Sequence, residues 1–472
     1  MTLNLKPFPA MKNSGVPWLG EVPKHWDVRK LRHLLARVTA RNRPDLPLLS
    51  VVREKGVIRR DIASKDENHN FIPDDLSNYK VVRTGQFAMN KMKAWQGSYG
   101  VSQHDGIVSP AYFVYRLMGV KGDFFHSAIR SNAYVPFFAQ ASDGVRIGQW
   151  DLSQPRMDEI PFFVPPPDEQ AAIVRFLDHA DRRIRRLISA KLKLIKLLEE
   201  QKQAIIHRAV TRGLDPNVPF KPSGVEWLGE VPQHWEVKRL KFAASEIVDC
   251  LHATPQYSES GGHPAIRTAD ISPGIVHVSK ARRISSDDYA VWTERLEPQA
   301  GDILYSREGE RFGIAACVPP GVRLCISQRM MVLRMAKEHC SHFVMWLLNS
   351  RSTYGQALQD VMGATAPHVN ISTIRNYFLA MPSKLEQEDL VKHIESETRS
   401  LDVAMDRAAR EIALLREYRA RLVADVVTGK LNVREAAAAL PNEADEPELP
   451  DDAEALDGGG DDELEGRRDA DA

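Results

Sequence analysis

An internal repeat is the feature that most constrains the fold of this chain. The segment SGVPWLGEVPKHWDVRKL begins at Ser14 and recurs as SGVEWLGEVPQHWEVKRL from Ser223, with 13 of 18 positions identical. DEQAAIVRFLD, which begins at Asp168, aligns with LEQEDLVKHIE from Leu385, and weaker matches between these segments keep the same order. Self-similarity of this kind predicts two tandem copies of one structural unit, related by a pseudo-twofold axis.

Each copy is predicted to have three parts: a short tryptophan motif, a domain of short strand-like runs, and one long helix. The fold class is therefore α+β, with two mixed α/β, strand-rich domains separated by two long helices. The predicted boundaries are a first tryptophan motif at 1–27, a first domain at 28–165, a first helix at 166–213, a linker with the second motif at 214–236, a second domain at 237–382, a second helix at 383–431, and an acidic tail at 432–472.

The helices are predicted from the spacing of apolar residues and from the absence of Gly and Pro between Asp168 and Arg212. A helix of about 40 residues is roughly 60 Å long and is unstable alone unless its apolar face is buried. We expect the two helices to pair as an antiparallel coiled coil, while docking on their own domains or pairing between chains stay open as alternatives. The pairing residues are predicted to be Ile173, Leu177, Ile184, Leu187, Leu194, Leu198, Leu390, Ile394, Leu401, Leu415 and Leu422.

Composition and charge favour a polyanionic partner only modestly. The 472 residues are 43% hydrophobic and 27% charged, which suits a globular chain of several domains. From Leu440 onward there are 14 acids and two arginines, a net charge of 2 − 14 = −12, so the rest of the neutral chain carries +12. The tail has almost no large apolar residues and is predicted to be disordered.

Several classes of site are not indicated by the sequence. The four cysteines form no CxxC pair, so neither a metal cluster nor a disulfide framework is expected. Since no signal peptide or membrane span is evident, a cytoplasmic location without membrane attachment is expected. Asp168, Glu200 and Lys202 superficially match a nuclease motif, but one helix would hold Asp168 and Glu200 some 48 Å apart; Asp168 is better explained as a helix N-cap.

A family resemblance follows from these motifs taken together. The tandem GVxWLGEVPxHW motifs, the EQ element at Glu169 and at Glu386, and the helices ending in VTRGL and VTGKL resemble specificity subunits of type I restriction-modification systems, up to about residue 435. In the second domain, the segment that begins DCLHATPQYSESGGHPAIRTADISPG at Asp249 is similar to one version of the family's recognition domain, whereas the first domain resembles another.

The resemblance implies a division of labour. Such a subunit binds double-stranded DNA at two half-sites of a bipartite, asymmetric target, with its helices as a stiff spacer. Two modification subunits dock on the helices and methylate adenine N6, and two restriction subunits add translocation and cleavage. S-adenosylmethionine, ATP and Mg²⁺ would then belong to the partners, and this chain would hold no cofactor, metal or catalytic residue. Consistent with this, the sequence contains neither a phosphate loop nor an adenine-methylation motif.

Residues that contact DNA are expected on exposed loops, with Lys and Arg for phosphates and Arg, Asn or Gln for base edges. The four paired tryptophans, Trp18, Trp26, Trp227 and Trp235, with His25 and His234, are instead expected to pack the domains against the helices. The DNA-binding candidates of the first domain are Arg53, Lys55, Arg59, Arg60, Asn90, Lys91, Lys93, Trp95 and Gln96, and those of the second are His252, Thr254, Arg267, Thr268, Arg282, Arg283, Ser306, Arg307 and Arg311.

Two functions remain as alternatives. One is a coiled-coil scaffold that binds only proteins, and the other is a stand-alone nuclease, which is supported only by the rejected match to a nuclease motif. Two different loop-rich basic domains argue against a scaffold, which has no evident need of both. For the acidic tail, the hypothesis is competition with nonspecific DNA. The target sequence, the gap length and the presence of a restriction subunit do not follow from the sequence.

Overall fold

The computed structural model describes residues 5–53, 55–60, 73, 75–146, 149–309, 311–361 and 367–441. Of the acidic tail predicted to be disordered, 432–472, residues 442–472 lie outside the described residues. The prediction is wrong for its first part, because Arg434–Ala438 form a helix. The chain divides into two compact units, one made of residues 1–193 and 408–472 and the other of residues 194–407.

The first unit is built around a four-stranded antiparallel sheet in the order β4-β11-β8-β9. The helix Gly122–Ile129 places Phe124, Phe125 and Ile129 in the core with the buried Phe87 and Tyr99 of the sheet. The strands are β1 (Met11–Asn13), β2 (Glu21–Pro23), β3 (Asp27–Lys30), β4 (Leu35–Arg37), β5 (Leu49–Val52), β6 (Gly56–Arg59), β7 (Lys80–Val82), β8 (Phe87–Met89), β9 (Tyr99–Val101), β10 (Gly106–Val108), β11 (Phe113–Leu117), β12 (Ser142–Arg146), β13 (Gln149–Leu152) and β14 (Pro161–Val164), and the short helices are α1 (Gly122–Ile129), α2 (Val135–Gln140) and α3 (Gln154–Asp158).

The second unit repeats this plan with a four-stranded sheet in the order β18-β26-β23-β24, on which the apolar helix Ser341–Leu348 packs. A separate three-stranded sheet, β22-β19-β25, contains the parallel pair β19 and β25. The strands are β15 (Phe220–Pro222), β16 (Glu230–Pro232), β17 (Glu236–Arg239), β18 (Ala244–Asp249), β19 (His263–Ile266), β20 (Ile271–Ser272), β21 (Ile275–Val276), β22 (Arg282–Ile284), β23 (Ile303–Ser306), β24 (Ala315–Cys317), β25 (Cys325–Ile326), β26 (Met330–Met335) and β27 (Phe378–Met381).

Two long helices accompany these strands, α4 (Pro167–Arg212) and α10 (Lys384–Val427). The shorter helices of the second unit are α5 (Leu240–Ala243), α6 (Ser286–Trp292), α7 (Ser341–Leu348), α8 (Arg351–Val361) and α9 (Ile371–Arg375), and α11 (Arg434–Ala438) follows α10 in the first unit. None of the helices in the described part of the chain is both long and apolar enough to cross a bilayer.

The predicted repeat is visible strand by strand. The hairpin β1-β2 pairs Met11 with Pro23, and the hairpin β15-β16 pairs Phe220 with Pro232, 209 residues later in both strands. Each domain is also closed by the strand before its long helix, since β14 pairs with β3 and β27 with β17. The predicted α+β class with strand-rich domains and long helices is confirmed.

The long helices pair within each unit, as predicted. In the first unit Arg419 of α10 lies 2.5 Å from Asp181 of α4, and Lys191 is ion-paired with Glu411. The pairing is antiparallel, because residues further along α4 pair with residues that come earlier in α10. In the second unit, Lys202 Nζ lies 2.6 Å from Asp402 Oδ1.

The predicted apolar seam is wrong at two positions. Ile173, Leu177, Ile184, Leu390, Ile394 and Leu422 are buried, and Leu198, Leu401 and Leu415 are half-buried. Leu187 and Leu194, however, are 46% and 45% exposed, and the burial falls on residues that the prediction omitted: Ile188, Ile206 and Ile412.

The physical reason is the helical period. An α-helix with 3.6 residues per turn drifts by about 20° per heptad against a 3.5-residue pattern. The inward positions of α4 follow an 11-residue spacing instead, through Ile173, Ile184, Ile195 and Ile206. Leu390, Leu401, Ile412 and Val423 repeat that spacing in α10.

Asp168 also differs from its prediction. Because α4 already begins at Pro167, Asp168 lies in the first turn of the helix and is not its N-cap. A carboxylate there still interacts favourably with the positive end of the helix dipole.

The corrected seam makes a stability prediction. We expect Ile184→Ala to lower the free energy of unfolding by about 2–4 kcal/mol, because it leaves a cavity at a buried position. Leu187→Ala, three residues away on the exposed side, should cost about 0.5 kcal/mol or less. Chemical denaturation of both variants checks this, and equal losses would contradict the assignment.

Candidate nucleic-acid interface

A carboxylate at the start of each long helix, buried in the first unit and half-buried in the second, anchors the adjoining tryptophan motif. Glu169, whose side chain is 5% exposed, accepts from Trp26 Nε1 at 2.9 Å and lies 2.9 Å from His25 Nε2. In the second unit Glu386 makes the same contacts with Trp235 Nε1 and His234 Nε2, both at 2.9 Å. Hydrogen bonds to a charged acceptor are among the stronger ones in proteins, so we infer that this carboxylate fixes the motif on the helix.

The neighbouring glutamine ties the same helix end to the domain. Gln170 Oε1 accepts from the backbone N–H of Lys121, the residue before α1, and its Nε2 donates to the Pro165 carbonyl, both at 2.8 Å. Gln387 repeats both contacts, with Cys340 before α7 and with Pro382. The repeated EQ pair therefore joins the long helix, the tryptophan motif and the strand-rich domain in each unit. We call the contacts of Glu169 and Gln170 the first clamp, and those of Glu386 and Gln387 the second clamp.

The C-terminal end of each long helix contacts the tryptophan motif that the other long helix binds at its start. Gly429, after α10, has φ +74°, and a Cβ there would lie 2.4 Å from Pro23 Cδ and 3.0 Å from Trp26 Cη2. Gly213, after α4, has φ +72° and lies against Trp235. Only glycine combines this backbone with such close approach.

The expected packing role of the tryptophans is seen for Trp26 and Trp235, which are fully buried. Trp18 is instead 38% exposed, with its ring 4.7 Å from that of Phe137. The side chain of Trp227 lies outside the described residues.

Four first-domain candidates lie at the β5-β6 hairpin. Arg53, Lys55 and Arg59 are exposed and Arg60 is half-buried. The hairpin is held by a residue that the prediction omitted, Arg130, whose guanidinium donates to the Arg53 carbonyl at 2.7 Å and to the Tyr99 carbonyl at 2.6 Å.

The other first-domain candidates follow β8. Asn90 is buried and bonds to Tyr112 and to the backbone of Met92, while Lys91 is paired with Asp151 at 3.1 Å. Lys93 is exposed, Gln96 is half-buried, and the ring of Trp95 lies 5.5 Å from that of Trp150.

In the second domain, three candidates meet at the turn after β19. Arg267 pairs with the buried Asp270 at 2.9 Å, and Arg311 donates to the carbonyls of Thr268 and Ile271 at 3.2 and 2.6 Å. Two more lie on β22: Arg282 stacks on Tyr257 at 4.9 Å, and Arg283 donates to the Gly262 carbonyl.

A buried ion-pair network organises the remaining second-domain candidates. Arg307 donates Nε to Asp249 Oδ1 at 2.9 Å and Nη2 to Asp249 Oδ2 at 3.1 Å, and it also pairs with Glu308 at 2.8 Å. His252, 69% exposed, lies 3.2 Å from the same aspartate. Thr254 is exposed nearby in sequence.

The expectation that all candidates lie on exposed loops is wrong for Arg59, Arg282 and Arg283, which lie on strands, and for three residues that are buried. Asn90, Ser306 and Arg307 are 9%, 0% and 2% exposed, because each lies where a core strand ends and its side chain turns inward. Contact with DNA stays a prediction for the other candidates.

Asp249, Cys250 and His252 bring three possible metal-ligand atoms within 4.8 Å of one another. Both oxygens of Asp249 already accept from Arg307, and burial raises the pKa of the Cys250 thiol, which favours the protonated form that binds metals poorly. The arrangement therefore suits an ion-pair network better than a metal ion.

Comparison with known proteins shows what this chain is similar to. No family model matches the chain. It is 20% identical over 450 residues to a putative type I restriction enzyme MjaX specificity subunit of Methanocaldococcus jannaschii, covering 88% of this chain and 96% of that protein. The MjaVIII specificity subunit of the same organism is 22% identical over 57% of this chain, which spans only 62% of that relative.

The fold agrees with these relatives. A chain from a study of complex assembly and conformational transition of the type I R-M system superposes with a TM-score of 0.60, at 14% identity, over 87% of this chain and 99% of that chain. Over most of its length the chain is thus similar in sequence to type I restriction enzyme specificity subunits. The resemblance predicted from the sequence is thereby confirmed.

Among the described residues, the clamps and the long helices repeat between the two units, whereas candidate residues at matching positions make different contacts. Lys91 and Arg307 occupy matching positions after β8 and β23, yet Lys91 pairs with Asp151 and Arg307 with Asp249. The repeat alignment already marked Glu169 and Glu386 as equivalent, and likewise the tryptophans and histidines of the two motifs. It did not show that these glutamates bind those tryptophans and histidines.

The ion-pair network makes a stability prediction. We expect Arg307→Leu to lower the free energy of unfolding by about 3–5 kcal/mol, since it leaves Asp249 buried without its cation. The double variant Arg307→Leu with Asp249→Leu should recover much of that loss. A single variant as stable as the wild type in denaturant titration would contradict the assignment.

A pH dependence follows from His126, which accepts from the Val101 N–H behind the β5-β6 hairpin. Burial and the nearby Arg130 lower its pKa from 6.5 to about 4. As the pH falls, the unfolded chain therefore binds this proton at a higher pH than the folded protein does. The contribution of His126 to the free energy of unfolding is present above pH 6.5 and is lost as the pH falls towards 4, by up to about 3 kcal/mol. His126→Gln lacks this loss, so the stabilities of wild type and variant should diverge between pH 6.5 and 4; parallel profiles would contradict it.

Proposed function

We propose that this chain is the specificity subunit of a type I restriction-modification complex and reads a bipartite, asymmetric DNA target. The observation that carries the proposal is the combination of duplicated clamps with unlike candidate loops. A protein that reads the same half-site twice needs two equal strand-rich domains. An asymmetric target needs two different domains, which we call the reading heads, on equivalent supports. The charge of +12 outside the tail favours a polyanion as the partner.

The long helices supply a surface for the partner subunits in this proposal. Large apolar side chains point outward from both helices, and we assign them to the docking of two modification subunits, with two restriction subunits joining through these. Six of them are 45–63% exposed: Leu187, Leu194, Leu197, Val403, Leu414 and Tyr418.

The chemistry then belongs to the partners. S-adenosylmethionine would be held by the modification subunits, and ATP and Mg²⁺ by the restriction subunits, in the cytoplasm where the host DNA lies. This chain would contribute only the choice of sequence. A scaffold that binds proteins alone is the alternative, and it predicts no selection of a DNA motif.

A domain exchange tests the proposal. Replacing residues 28–165 by the equivalent segment of another specificity subunit should change one half of the methylated motif and leave the other intact, because each head reads one half-site. Sequencing of methylated adenines in host DNA measures both halves. The matched control is an exchange of residues 237–382, which should change the opposite half. Change of both halves by one exchange, or no motif in the wild type, would overturn the proposal.

A further inference from the structure

The buried Arg307 holds together three separate segments of the second unit. Its guanidinium binds Asp249 at the end of β18 and donates Nη1 to His368 Nε2 at 3.1 Å. Because Arg307 can only donate, His368 must carry its proton on Nδ1, which faces Glu308 at 3.1 Å. Both nitrogens of His368 are thereby occupied inside the network.

The same network fixes the backbone of an exposed arginine. The Arg307 N–H donates to the Arg329 carbonyl at 3.0 Å, and the Cys250 N–H donates to the Met330 carbonyl at 3.2 Å. Arg329 therefore sits beside the network, with its own side chain exposed. Its Nη1 lies 3.8 Å from the position that a Cβ on Gly309 would take.

The backbone of Arg329 is in an unfavourable conformation. Its φ is +69°, and among the non-glycine residues that the structure describes only Asn42 shares a positive φ. Asparagine tolerates this region, whereas a long side chain there is strained and persists only where its surroundings impose it. Glycine would suit this backbone better, so the arginine side chain supplies something that the fold does not require.

We propose that Arg329 is a base-reading residue of the second head, which contacts O6 and N7 of a guanine, and that Arg307 is its positioning residue. This inference rests on the proposed function. A guanidinium matches the two acceptors of guanine as a fork, and an imposed backbone reduces the entropy lost on binding. The repeat alignment places Ala111 at the equivalent position of the first unit, so this contact distinguishes the two heads.

Two substitutions of Arg329 separate reading from charge and from folding. Arg329→Lys keeps the charge but loses the fork, so nonspecific affinity and its salt dependence should stay, while preference for guanine at one position falls roughly tenfold. Arg329→Gly should lose the same preference without lowering the thermal unfolding midpoint, because it relieves the positive φ. The readout is selection by the full-length chain from a randomised duplex library at fixed salt.

The matched control is Arg323→Ala. Arg323 is an exposed arginine that precedes β25, as Arg329 follows it, and it pairs with Glu297. This variant loses one positive charge in the same unit and should keep every base preference of the wild type.

The positioning role of Arg307 has its own readout. Arg307→Lys should weaken the preference at the same base pair as the Arg329 variants, and combining it with Arg329→Lys should add little further loss at that base. Loss spread over the whole half-site would show a merely structural role.

The outcomes are distinguishable. If the wild type selects a two-part motif and Arg329→Lys selects the same motif with equal stringency, the inference fails while the proposed function stands. If the wild type selects no motif at all, the proposed function fails.

Discussion

The carboxylate at the start of each long helix, buried in the first unit and half-buried in the second, is the constraint on which the rest of the structure depends. Glu169 and Glu386 each bind a tryptophan and a histidine of the motif that opens their own copy. An unpaired carboxylate is costly to bury, so these contacts have to form together. They fix where each helix begins relative to the strands beside it, and the adjacent glutamines carry that register into the domains.

The two clamps are alike but not equal. In the first unit Arg434 of α11 adds a third partner to Glu169 at 3.1 Å, and its guanidinium stacks on Phe8 at 5.0 Å. Glu386 keeps 29% of its side chain exposed, compared with 5% for Glu169. The segments around Phe8 and Arg434 thus complete the first clamp, where the Asn432 N–H also donates to the Lys6 carbonyl.

The two domains share their central and closing strands and diverge elsewhere. The central sheets keep the same order and the closing strands keep the same pairing, whereas the second unit has the three-stranded sheet β22-β19-β25 and the first has the two-stranded sheets β5-β6, β10-β7 and β12-β13. A sheet tolerates change at its loops far better than in its ladder, because loop residues carry few shared hydrogen bonds. This separation allows one scaffold to carry two unlike surfaces.

The sequence by itself determined the duplication, both long helices, most of their inward residues and the resemblance to type I specificity subunits, because repetition and periodicity are local patterns that burial enforces. It marked Glu169 and Glu386 as equivalent but could not name their partners, which lie more than 140 residues away along the chain. Only the tertiary structure decided that Arg307 turns inward while Arg329 faces out, since an arginine after a strand reads the same in sequence whichever way it points. It likewise decided which of Leu187 and Ile188 is buried, a choice set by the helical period and the position of the partner helix.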